Sequence, residues 1–454
     1  MTDIKTYRNK FAENKEKTIN ELITFLKFPS ISAQKEYFSD CLECADWLVR
    51  FLKNIGFKSE ILQTASKPVV YGEYLIDPDK KTVLIYGHYD VQPAKKEDGW
   101  HEDPFNPIIK DNNIIARGAV DNKGQIFYII KALETLVKDN SLEYNIKIII
   151  EGEEETGSIE LTKNIPIWKE KLKADTLLVC DSGMTIANTP TIEVGMRGIA
   201  SFNVQLQGPK QDLHSGAFGG LVKNPAKELV CLLAKLFDEN GSIAIPNFYD
   251  NVPDVTLEEK QQIKSCPFSE KELFDFTGLP ATGGEINYSP QERNGLRPTI
   301  EINGIQSGYN GEGSKTIIPA VAKANISCRI ARGQDGKKSI EQIKKFLIAN
   351  AAKEMKLEFT YDEFGCDGFV LNTKSRMTEI ASQIFKDLYN KDVVFKYHGA
   401  TIPIIPTLIK DCTKDGLATG FSLESDGMHS PNECFGLDRF ENGYVFICLL
   451  LSKN

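Results

Sequence analysis

The chain has 454 residues, 41% of them apolar and 26% charged, with a formal net charge of -9. That length exceeds what one compact core holds and points to two or three domains of an ordinary globular protein. An acidic balance without a long basic run argues against nucleic acid or an anionic membrane as partner, and no run approaches the roughly 18 apolar residues of a membrane helix.

Residues 1–17 are polar and charged, with no signal-peptide core. Amphipathic helices are expected over 5–27 and 39–55, the second with Cys44, Leu48, Phe51 and Leu52 at helical spacing. Short apolar strands follow at Val69–Leu75 and Val83–Tyr86. A helix is predicted between Asn122 and Lys138, and further buried strands at Ile146–Ile150 and Thr176–Cys180. Strands alternating with helices predict a mostly parallel sheet covered on both faces, an α/β catalytic domain.

After Glu193-Val-Gly-Met-Arg197 the pattern changes. Ala200–Gln207 and Ala324–Ile330 alternate apolar and polar residues, as half-solvated antiparallel strands do. Leu357–Phe364 makes a last such strand, with helices over about 225–237 and 340–352. This predicts a small α+β unit inserted into the larger domain, with 241–295 as a polar lobe of it. The expected division is 1–196 and 367–454 for the α/β domain and 197–366 for the insert. The ten cysteines are single except Cys41 and Cys44, which share a helical pattern with no second pair. They read as reduced, core-filling thiols of a cytoplasmic protein rather than a zinc knuckle.

The chemistry collects at strand ends. His88 and Asp90 follow one strand, two apart and so on one face of extended chain, which lets a metal-bound imidazole be oriented by a neighbouring carboxylate. Asp121 precedes a helix, Glu153, Glu154 and Glu155 follow a third strand, and Asp181 follows a fourth. His429 lies in a late turn. Each has a plainer reading by itself: Asp121 or Asn122 as a helix cap, the glutamates as a solvated acidic loop, Asp181 as a turn residue. Gathered at one sheet edge, such carboxylates repel one another unless cations sit among them. Two histidines with three carboxylates suit a pair of Zn²⁺ or Mn²⁺ ions, typically ~3.5–4 Å apart. His101 and His398 are read as structural.

These residues carry a resemblance to metallopeptidase family twenty, the co-catalytic di-metal group that holds carnosinase-type dipeptidases, aminoacylases and succinyl-diaminopimelate desuccinylase. The matching stretches are Tyr86-Gly-His-Tyr-Asp-Val-Gln-Pro93, Arg117-Gly-Ala-Val-Asp-Asn-Lys-Gly124 and Glu151-Gly-Glu-Glu-Glu-Thr-Gly-Ser158. Asp212-Leu-His-Ser-Gly216, Gly313-Ser-Lys-Thr-Ile-Ile-Pro319 and His429-Ser-Pro-Asn-Glu433 continue it in the family's order, and the first and second of these resemble the dipeptidase branch.

The resemblance implies that His88 and Asp181 bind one metal, Glu155 and His429 the other, and that Asp121 bridges them. It implies two divalent ions, Zn²⁺ first and Mn²⁺ or Co²⁺ next. Asp90 orients His88, Glu154 is the general base, and a cis peptide falls at Asp121–Asn122. The insert resembles a ferredoxin-like lid and dimerisation domain, whose His214 polarises the scissile carbonyl from the partner subunit of a homodimer. Thr316, Arg329, Thr401 and His429 match substrate-contacting positions. One departure is Tyr397-His-Gly-Ala-Thr-Ile-Pro403, where relatives carry a Gly-rich loop with Ser. It puts His398 and Ala400 in the pocket floor, with Thr401 in place of the Ser hydroxyl. The expectation is a hydrolase of dipeptide amide bonds, with an N-acyl amino acid deacylase as the alternative and a catalytically silent metal-binding scaffold as the reading from another class.

Overall fold

The structure is a computed structural model and describes residues 2–184, 186–399 and 402–452. Its main sheet has nine strands. The middle of the sheet runs Asn145–Glu151, Thr82–His88, Thr176–Cys180 and Asp415–Thr419, all parallel to one another. Outside them the direction reverses: Val69–Tyr74 pairs antiparallel with Asn145–Glu151, and Thr191–Met196 antiparallel with Asp415–Thr419.

The sequence of one central strand shows why it sits inside. Val83 and Ile85 face a core built with the helices Thr2–Leu26, Phe38–Asn54, Lys123–Lys138 and Leu437–Leu451. Leu84 and Tyr86 face a second core with Ile159–Leu172 and Ile404–Asp411. A strand covered on both faces needs apolar residues at every position, not alternate ones. The Lys123–Lys138 helix is buried along almost its whole first half because a second helix layer covers it. Tyr128 there meets Phe421 and Phe440 edge-on, with ring centroids 5.7 and 5.9 Å apart.

The second sheet is four-stranded and antiparallel, in the order Thr299–Ser307, Val321–Ile330, Gly198–Gln207 and Lys356–Cys366. The helices Pro225–Ala234 and Gly336–Asn350 pack Leu229, Leu233, Ile340 and Ile343 against Phe202, Val204 and Ile326 on one of its faces. Along the chain these elements run strand, helix, two strands, helix, strand, which with that sheet order is the ferredoxin-like arrangement.

Several strands escape the sequence reading, among them Lys58–Leu62, Val394–His398, the central Asp415–Thr419, Thr299–Ser307 and Thr191–Met196. Thr299–Ser307 contains Asn303-Gly304, which reads as a turn; the structure makes it a bulge, with the register against Val321–Ile330 shifting between Ile302 and Gly304. Thr191–Met196 reads as a boundary but is a fully buried strand of the main sheet. The 241–295 lobe holds three short helices, two of them opened by capping boxes, Thr256 with Glu259 and Ser289 with Glu292. That S/T-x-x-E signature is present in the sequence at Thr256–Glu259 and Ser289–Glu292.

Candidate metal centre

The four parallel strands end on one edge of the sheet, and the chain turns each end toward the same point. Asp121 stands in the middle. Its Oδ1 lies 3.1 Å from His88 Nε2 and its Oδ2 lies 2.9 Å from His429 Nε2. Asp181 Oδ1 is 3.8 Å from His88 Nε2, and Glu155 Oε2 is 3.2 Å from His429 Nε2. Two triads result, His88 with Asp121 and Asp181, and Asp121 with Glu155 and His429. Within each, the ligand atoms lie within 4.8 Å of one another. One imidazole and two carboxylates per triad, with Asp121 common to both, is a donor set fitted to two borderline divalent ions. The helix-cap reading of Asp121 and Asn122 fails, since neither side chain caps the helix that follows. The peptide bond between them is cis.

The three glutamates separate by geometry. Glu153 turns away, its Oε2 accepting the Glu160 N–H of the next helix at 3.3 Å. Glu154 Oε2 stands 4.0 Å from His88 Nε2, outside both triads, and Glu155 completes the second. Asp90 does more than face the imidazole. Its backbone carbonyl lies 3.0 Å from His88 Nδ1 and its carboxylate 3.4 Å. The carboxylate oxygens accept the N–H groups of Glu154 and Glu155 at 3.2 and 3.1 Å.

Three further residues of the motif stretches, Glu433, Asn122 and Gln92, hold the ligands in place. Glu433 is fully buried and accepts from Arg117 Nη1 at 2.8 Å and from the N–H groups of Gly118, Val120 and Asp121 at 2.9, 2.9 and 3.1 Å. It therefore sets the loop that carries Asp121. Asn122 Nδ2 donates to Asp181 Oδ1 and to the Cys180 carbonyl, both at 2.8 Å. Gln92 Nε2 donates to Glu155 Oε2 at 2.7 Å. The signal that points to Glu433 is its opposite charge to Arg117 in another motif stretch. For Gln92 and Asn122 there is none, because an amide has no sequence period.

The charges answer one another. Burial opposes a proton on His88, but its hydrogen bond to Asp121, with Asp181, Asp90 and Glu154 around it, holds the imidazole well above its usual range. Hydrogen bonds to Asp121 and Glu155 raise His429 to about 10. Burial pushes Glu154 up to about 9 and Asp181 to about 7, with the neighbouring carboxylates adding to it. In Asp121, burial is overcome by the two histidines, which keep its carboxyl well below the usual range.

The remaining expected residues lie apart from the triads. His214 is exposed on a two-residue ribbon against Ile317–Ile318, and the Ser215 N–H reaches the Thr316 carbonyl at 2.9 Å, so His214 and Thr316 are neighbours. His214 Nδ1 accepts the N–H groups of Gly216 and Ala217, so in the neutral ring Nε2 carries the proton. Arg329 is half-buried in the Val321–Ile330 strand, opposite Thr299 and Ile199. Thr401 lies outside the described residues. His398, read as structural, lines a cleft of about 480 Å³ that opens beside Asp181, along with Glu193, Met196, Lys396 and Met428.

The sequence pattern of Peptidase family M20/M25/M40 matches residues 84–453. The Cys-Gly metallodipeptidase of Schizosaccharomyces pombe is 30% identical over 96% of this chain and 95% of its own. The Beta-Ala-His dipeptidase of Mus musculus is 29% identical over 84% of this chain and 81% of its own. A solved structure, the M20 family metallo-carboxypeptidase of Sulfolobus solfataricus, is 31% identical and superposes with a TM-score of 0.83 over 96% of this chain and 98% of that one.

Two outcomes are expected. Metal ligation needs both imidazoles neutral, so uptake releases protons and apparent affinity rises with pH up to about 10, where His429 loses its proton. Calorimetric titration in buffers of different ionisation enthalpy reads the proton count, and a count of zero contradicts this. Glu433→Gln leaves Arg117 buried without its carboxylate, which costs about 3–5 kcal/mol in denaturant unfolding; it also lowers metal occupancy, read by elemental analysis.

Proposed function

The chain belongs to peptidase family M20/M25/M40, and we propose that it is a two-metal dipeptidase, in which His88 and Asp181 would hold one ion, Glu155 and His429 the other, and Asp121 would serve both. The observation that carries this reading is the position of Asp121, with one carboxylate oxygen toward each histidine. The names of the relatives from Schizosaccharomyces pombe and Mus musculus support dipeptides as the substrate class.

Two ions so held would supply Lewis acidity to the scissile carbonyl and bring the pKa of a water toward neutrality, with Zn²⁺ the first choice. Glu154 takes the proton of the attacking water and returns it to the leaving amine. Its burial supports that role, because a carboxylate deprived of solvent holds a proton more tightly than one in water. Asp90 fixes both glutamates by their backbone, so base and ligand keep one spacing. His214, through its Nε2–H, stabilises the developing oxyanion from the partner subunit of a homodimer. The fork of Arg329 and the hydroxyl of Thr316 hold the substrate carboxylate, and the 197–366 insert closes as a lid. None of the ten cysteines forms a disulfide, which supports a reducing, cytoplasmic setting. Among the described residues no helix is long and apolar enough to cross a membrane.

The testing experiment is a panel on chelated enzyme restored with Zn²⁺, Mn²⁺ or Co²⁺, using Cys-Gly, Ala-Ala, tripeptides and N-acetyl amino acids. Restored cleavage of the dipeptides is expected. Cleavage of the N-acetyl amino acids with dipeptides untouched overturns the reading in favour of a deacylase. Glu154→Gln is expected to keep two metal equivalents and lose about 10²–10⁴-fold in kcat; wild-type turnover in that variant removes Glu154 as the base.

A further inference from the structure

The Thr191–Met196 strand carries one charged residue, Glu193, in the middle of an otherwise uncharged run. Its neighbours Ile192 and Val194 face the core under the Lys123–Lys138 helix. Glu193 points to the other side, into the cleft beside Asp181. Only 3% of it is exposed, yet no hydrogen bond or ion pair holds its carboxylate among the described residues. A bulge lies next to it: Lys396 pairs with Glu193 and Tyr397 with Gly195, so Val194 is the extra residue. The bulge turns Met196 to the same side as Glu193, and both line the cleft.

The other charged and titratable groups of the cleft are Asp181, Lys396, His398 and Glu424. Lys396 is directly across in register but makes no ion pair with Glu193, and it is only half-buried. Ala418 pairs with both Val179 and Glu193, which places Glu193 level with the end of the strand that delivers Asp181, two strands away. Glu193 belongs to neither triad. A buried carboxylate without a partner is costly and asks for a cationic ligand.

Resting on the dipeptidase reading, we infer that Glu193 receives the free α-ammonium group of the substrate's N-terminal residue, seated in the cleft beside Asp181. The cleft then selects substrates with a free amino terminus, while Met184, Met196 and Met428 give the N-terminal side chain a pliable apolar wall. A charge-assisted contact discriminates against an analogue that lacks the donor.

The test compares Ala-Gly with its des-amino isostere N-propionylglycine, followed as substrate or, where turnover is too slow, as competitive inhibitor. The wild-type enzyme is expected to favour Ala-Gly by about 100-fold or more. Glu193→Gln is expected to raise KM for Ala-Gly about 50-fold, leave N-propionylglycine within about twofold, and keep two metal equivalents and the wild-type melting temperature, since no protein contact is lost. Glu193→Asp, which keeps the charge, is expected to recover part of the preference. A preference that survives Glu193→Gln, or a parallel loss on both compounds, overturns the inference. A wild-type enzyme inert on Ala-Gly overturns instead the dipeptidase reading beneath it.

Discussion

Around Asp121 the chain gathers Glu154, Glu155, Asp181 and two imidazoles, with His88 fully buried and His429 open to solvent. Like charges so close repel, and most of the arrangement exists to answer that repulsion. Asp121 meets it by giving one oxygen to each histidine. Glu154 and Asp181 meet it by holding protons far above the usual carboxylate range. A pair of divalent ions meets it better, because two dications offset several carboxylates at once while the imidazoles act as neutral donors. Metal affinity and proton affinity are therefore one property of this edge.

Such a site needs a frame that does not yield to its own charge, and the frame is made of backbone N–H groups and one buried ion pair. Asp90 grips the two glutamates by their amides, and Glu433 grips four donors of the Arg117–Asp121 loop. Neither carboxylate belongs to a triad, yet each fixes where a ligand stands. The close approach of the neighbouring loops is equally tight: a Cβ on Gly420 would lie 1.7 Å from the Ser182 carbonyl oxygen, so only glycine fits beside Asp181.

The sequence made legible what periodicity and strand ends can carry. Three of the central strands announce themselves as apolar runs, Val83–Tyr86, Ile146–Ile150 and Thr176–Cys180, and His88 and Asp181 stand out because each follows one, whereas Asp415–Thr419 carries no such signal. Which glutamate does what was not readable from Glu153-Glu154-Glu155, where three identical side chains differ only in the turn that aims them; the family resemblance supplied a reading and the coordinates supply directions. Asn122 and Gln92 stay silent because an amide carries neither charge nor period, and Glu433 offers only a charge opposite to that of Arg117, 316 residues away. The Thr299–Ser307 strand was hidden by Asn303-Gly304, whose local preference for a turn is overridden by pairing on one side. Glu193 was read only as the mark of a changing pattern, although a lone acid in a buried strand is itself the anomaly.

The Arg117–Glu433 contact also orders events in time. A ribosome delivers His88, Asp121, Glu155 and Asp181 within the first half of the chain, but His429 and the carboxylate that shapes the Asp121 loop arrive only near residue 430. Until then the nascent chain carries four ligands on loops without their anchor. The centre is thus assembled by the completion of synthesis, and a chain that stalls or is clipped before that point is an unfinished frame rather than a loose hydrolase.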